Sequence, residues 1–168
     1  MPADTRSPDA RPVDAGFADA DPAPLALLAE DEGDLRILSA LLQDAVLPAS
    51  EMSYDRRGRT LALLLNRFRW EDADQAASEG RDYERVRSVL LIRDVMRVMS
   101  DGINRDPDTV LELLTMGWQA GRDGTGRLLL EFAGDGTLVA EVECINVDLR
   151  DVTRPYRAVS GKAPVHPD

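Results

Sequence analysis

Arg127–Val152, RLLLEFAGDGTLVAEVECINVDLRDV, is the stretch whose reading decides the fold. Leu128, Leu130 and Phe132 alternate with Leu129, Glu131 and Ala133, and then comes Asp135-Gly136. A second run sets Leu138, Ala140, Val142 and Cys144 opposite Val139, Glu141 and Glu143. Apolar residues at every second position on both sides of an Asp-Gly pair predict a β-hairpin. Two strands alone are barely stable in water, so other strands or a helix must cover the apolar row. Beyond Cys144 the apolar positions shift to Ile145, Val147 and Leu149, which predicts a bulge near Cys144.

Upstream, Leu25–Ala29 is a short apolar run read as a first strand. Leu35, Leu38, Leu41, Leu42, Ala45 and Val46 then mark one face of a helix over Asp34–Val46, with Asp31 as its cap and Pro48 as its stop. Met52–Tyr54 and Thr60–Trp70 flank Asp55-Arg56-Arg57-Gly58 and predict another hairpin. Glu71–Asp82 is too polar to show a periodic face and is read as a long connection. Strands are expected over 85–93, 96–103 and 110–120. The expected fold is α+β: a curved, mainly antiparallel sheet or partly open barrel of about seven to eight strands, with one main helix near the N-terminus. A pleckstrin-homology-like barrel is the alternative, although such barrels carry their helix after the last strand.

Composition sets the boundaries. Residues 1–24 hold five of the ten prolines and five aspartates against Arg6 and Arg11, and are expected to be a disordered acidic tail. Residues 25–152 are expected to form a single globular domain, and 153–168 a C-terminal tail. A net charge of -11 argues against nucleic acid and anionic lipid as partners. No basic start precedes an apolar run, and no apolar stretch approaches a membrane span. Cys144 is the single cysteine, so a reducing, cytoplasmic setting is expected.

The sequence offers little catalytic chemistry. It contains no phosphate-binding glycine loop, nucleophile elbow or metal-spaced Cys/His set, so no metal and no cofactor are expected. His166, the only histidine, is the third residue from the end, too close for a fixed base. Cys144 falls in the inward row of the hairpin and reads as a buried, unreactive core thiol.

Three stretches carry a likeness: Ser39–Ala45 (SALLQDA), Leu65–Trp70 (LNRFRW) and Val142–Ile145 (VECI). With them the chain resembles, over about residues 25–152 and the Pro164–His166 segment, an uncharacterised family, mainly alphaproteobacterial, catalogued only as a domain of unknown function. That resemblance implies bacterial cytoplasm and says nothing of an activity or a ligand.

The arginines are the most informative polar residues. Arg56, Arg57, Arg59, Arg67, Arg69, Arg85, Arg87, Arg93 and Arg97 all come from the first half of the sheet, whereas Glu112, Glu131, Glu141, Glu143 and Asp148 come from the second. Arg67 and Arg69, like Arg85 and Arg87, stand two residues apart and so share a strand face. On consecutive strands the four are expected to form one positive patch for an acidic partner or a phosphate-bearing ligand.

Two functions follow. One is a small noncatalytic binding or adaptor protein using a sheet surface, with an acidic protein partner or a homodimer. The other is a phosphate- or anion-ligand-binding protein using an arginine cluster, with catalysis left open. A concave site holding three or more of these arginines favours the second; an apolar patch or exposed strand edge favours the first.

Overall fold

The computed structural model describes residues 23–104, 106–158 and 163–165. Most of the acidic tail expected over residues 1–24 therefore lies outside the described residues, as does His166.

The elements run β1 (Ala26–Ala29), α1 (Glu32–Leu42), β2 (Ala45–Pro48), β3 (Met52–Asp55), β4 (Thr60–Phe68), α2 (Trp70–Glu79), β5 (Glu84–Ile92), β6 (Val95–Asp101), β7 (Val110–Ala120), β8 (Gly126–Phe132), β9 (Thr137–Val142), β10 (Val147–Asp151) and β11 (Tyr156–Arg157). The strands build one open antiparallel sheet in the order β1-β10-β5-β4-β2-β7-β8-β9-β6, with β11 on β5 and β3 on β4. Antiparallel α+β thus holds, but the sheet has 11 strands rather than seven or eight. The additional ones are short. β2 is folded from residues that continue the apolar face of α1, and β11 lies beyond Thr153.

The opening hairpin forms as β8 and β9, with Leu130 opposite Leu138 and Leu128 opposite Ala140. Its turn sits one residue earlier than expected. Gly134 and Asp135 take φ of 82° and 66°, the two positive values that a type I′ turn requires. β9 ends at Val142, so the phase change beyond it marks the loop to β10 and not a bulge.

α1 ends at Leu42, before the expected Val46, because Asp44 enters the left-handed region at φ 63° and turns the chain into β2. Asp31 caps it as expected, its Oδ1 accepting from the Asp34 amide at 2.7 Å. Leu35, Leu38 and Leu42 enter the core, where α1 lies mainly on β7, and the Met116 amide donates to Ser39 Oγ at 3.0 Å. Leu90, Ile92, Leu130, Phe132 and Val142 are buried; Leu64 is only part-buried, because it sits in the outward row of β4.

The main correction is α2. Residues read as a polar connection form a helix of 10 residues, against 11 in α1, so neither is the single main helix. Only Ala76 is buried on it, which is why no apolar face is visible in the sequence. Its alanines favour helix, Glu71 and Asp72 complement the helix dipole, and Gly80 closes it at φ 65° while the Arg81 amide donates to Ala76 O at 2.9 Å.

Gly126 lies beneath Trp118. A Cβ there would stand 2.4 Å from the indole Cη2 and 2.6 Å from Gln119 O. Gly126→Ala is therefore expected to cost about 1–3 kcal/mol by overpacking, read as a lower urea midpoint with a shifted tryptophan emission.

Candidate functional site

The four arginines expected as one patch do not share a face. β4 and β5 pair with Arg67 opposite Val86, Asn66 opposite Arg87, and Phe68 opposite Arg85. This register places Arg67 in the buried row with Leu61, Leu63 and Leu65, while Arg85 and Arg87 belong to the opposite row. Spacing fixed each pair's common side, but a one-residue offset in register puts the pairs on opposite faces.

Arg67 is 0% exposed and forms a clamp. Nη1 and Nη2 donate to the Glu71 carboxylate at 2.9 and 2.8 Å, Nη2 and Nε to Asp151 at 3.0 and 3.1 Å, and Nε to Ser88 Oγ at 3.2 Å. Asp151 also accepts from the Leu25 amide at 3.0 Å and from Ser88 Oγ at 2.7 Å. One guanidinium therefore ties together β4, α2, β5, β10 and the residue before β1. Arg69 is paired too, with Nη1 2.6 Å from Glu84 and 3.6 Å from Asp72. Arg85 donates to Asn66 O and Oδ1 at 3.3 Å. Arg87 is exposed and has no carboxylate partner among the described residues.

A different set of arginines converges. A cleft of about 420 Å³ is lined by Tyr54, Arg56, Arg59, Val95, Met96, Arg97 and Val98. Arg56 and Arg59 come from the turn between β3 and β4, and Arg97 from β6. Arg59 takes φ 53°, a region a non-glycine residue seldom occupies. Its carbonyl accepts from the Val95 amide at 2.9 Å, which holds the turn against the start of β6. Its guanidinium lies 2.8 Å from Glu143, a contact that raises its pKa above the ordinary arginine value. Arg56 and Arg97 pair with no carboxylate among the described residues. The cleft thus offers two free guanidiniums, one held by a single acid, and a phenol whose Oη donates to Val95 O at 3.3 Å. Such groups bind oxyanions; none of them is a base or a nucleophile at neutral pH.

Beside this corner stands Cys144, exposed and not in the core as expected, because β9 stops at Val142. Partial desolvation, and then its 3.4 Å hydrogen bond to Asp94 Oδ2, push the thiol pKa up. Asp94, at φ 56°, also accepts from Asn146 Nδ2 at 3.1 Å, and these two hydrogen bonds hold its carboxyl below the usual range. Among the described residues, no group of three His, Cys, Asp or Glu side chains is arranged to hold a metal ion, and no helix is long and apolar enough to cross a membrane.

Sequence reading missed this cleft because its arginines are distant in the chain and are brought together by tertiary bonds, Val95 N–H to Arg59 O and Tyr54 Oη to Val95 O. The signal it did carry was the Arg-Arg-Gly-Arg turn at 56–59.

Residues 25–166 match the family model DUF2948, described as a protein of unknown function. No curated protein and no solved structure matches the chain.

Three outcomes follow. Arg67→Met strands the Asp151 and Glu71 carboxylates and is expected to cost about 3–5 kcal/mol, seen as a large fall in urea midpoint that Lys at 67 does not restore. Burial opposes the Glu71 carboxylate, yet the hydrogen bonds from Arg67 hold its pKa below the ordinary 4.5 on balance. A lowered folded value stabilises above pH 4.5 and is lost as pH falls through it. The stability difference between the wild type and Glu71→Gln should therefore be flat above that pH and shrink below it. Cys144 is expected to react with a thiol reagent without denaturant, more slowly at neutral pH than a free cysteine and faster as pH rises.

Proposed function

We propose that this chain, which belongs to the DUF2948 family of proteins of unknown function, is a cytoplasmic, noncatalytic binding protein that holds an anionic group in the cleft of Arg56, Arg59 and Arg97. The observation that carries this reading is the meeting of three guanidiniums in one concavity, two of them without a carboxylate partner among the described residues. On a chain of net charge -11, unpaired arginines have many acidic neighbours available, yet these two face open volume. Guanidiniums match the oxygens of phosphate and carboxylate in paired contacts. The cleft's aliphatic side, Val95, Met96 and Val98, lowers the local dielectric and strengthens those contacts. Arg67 and Arg69 belong to the fold and not to this site, since carboxylates already occupy both.

The test is a titration of inorganic phosphate into the full chain at low salt, followed by melting temperature and by calorimetry. Saturable stabilisation is expected for the wild type and for Arg87→Ala, which lies on another surface. Each charge-assisted contact is worth about 1.5–3 kcal/mol, so Arg56→Ala and Arg97→Ala should each weaken binding roughly tenfold or more and the double variant should abolish it. A wild type that shows no saturable response, or a double variant that responds equally, overturns the reading.

A further inference from the structure

The cleft lies where the sheet is left open. Among the described residues β3 pairs with β4 alone and β6 with β9 alone, so each has a free edge, and both strands contribute residues to the cleft. Two bonds close the mouth at one end: Tyr54 Oη donates to Val95 O, and the Val95 amide to Arg59 O. From Met96 onward no other segment among the described residues hydrogen-bonds to the outer edge of β6. A bulge between Val95 and Arg97 re-aims the strand there and leaves Met96 48% exposed. An edge with unpaired amides and carbonyls is a template for one more strand.

We propose that the anion bound by this protein is carried on an extended acidic peptide of a partner protein, which adds to the outer edge of β6. The inference rests on the anion-binding reading of the cleft. Charge complementarity selects the occupant: Arg56 and Arg97, with no carboxylate partner among the described residues, line the cleft beside that strand, and an added strand brings its carboxylates to them while its backbone takes up the free amides. The apolar side chains of such a strand meet Met96 and Val98. Asp101, at the far end of β6, repels a carboxylate placed opposite it, so the acidic positions belong at the Arg97 end. A free phosphate ion would satisfy the guanidiniums but leave the edge of β6 open.

The probe is a fluorescein-labelled, end-capped hexapeptide of alternating glutamate and valine, titrated into the full chain and read by anisotropy. Two further versions carry N-methyl groups, one on every glutamate nitrogen and one on every valine nitrogen, and a fourth replaces glutamate by lysine. Strand addition uses alternate amides, so one methylated version should bind at least tenfold more weakly while the other is little changed. The lysine version should not bind, and inorganic phosphate should compete with the parent peptide. Phosphate binding without peptide binding overturns this proposal and leaves the anion site standing. Equal binding by both methylated peptides also overturns it. Failure of both ligands removes the proposal together with the reading beneath it. Light scattering that shows a dimer, with peptide binding lost as the dimer forms, assigns the edge to a second copy and overturns it as well.

Discussion

A guanidinium fully withdrawn from water is the constraint on which this structure depends. Arg67 sits in the buried row of β4, where the three preceding positions of that row are leucine. Desolvating such a charge is costly, and only a complete set of partners offsets it. Glu71 and Asp151 supply two carboxylates in paired contact, and Ser88 supplies a hydroxyl. Meeting that demand fixes distant parts of the chain. α2 must start where Glu71 can reach back, β10 must end where Asp151 can, and the chain must enter β1 beside Asp151. The polar helix α2, which buries almost no apolar surface of its own, is held in place through this clamp and the Trp70 bond to Gln43 O at 2.9 Å.

The same strand carries both centres. β4 spans 9 residues, roughly 30 Å at about 3.4 Å each. At its Phe68 end the arginine is consumed in holding the fold; at its Thr60 end the preceding turn presents Arg56 and Arg59 to a cleft. Arg67, Arg69, Arg81, Arg93 and Arg127 each have an acidic partner, whereas Arg56 and Arg97 line the cleft with no carboxylate partner among the described residues. The left-handed backbone at Arg59 and Asp94 marks this corner as one whose shape is held by its surroundings and not by local preference.

Much of the fold was legible because period-two patterns are strong wherever one face is buried. The β8–β9 hairpin and the inward row of β5 follow from it, and Asp31 marked the capped start of α1; in β4, apolar residues on both faces hid which row turns inward. What was not legible depends on pairing between strands. Register decides that Arg67 falls opposite Val86, and nothing in either strand alone states that offset. α2 was hidden because an amphipathic signal needs apolar residues, and this helix is secured by ions; its alanines and closing Gly80 were the available cues. Cys144 was misplaced by extending the alternation past Val142, where the strand ends. The candidate cleft joins a turn to a strand some forty residues away, so only the tertiary bonds that Val95 makes with Arg59 and Tyr54 reveal it.

The central claim is that the arginines of the cleft, and not those of the clamp, are the ones that meet a ligand. Arginine Nε–Hε resonances of the full chain, labelled with ¹⁵N and followed while inorganic phosphate is added, test it most directly. Saturable shifts of Arg56, Arg59 and Arg97 along one binding curve, with Arg67 unmoved, are the predicted result. Shifts that never saturate, or that spread equally over Arg85, Arg87 and Arg150, would contradict it.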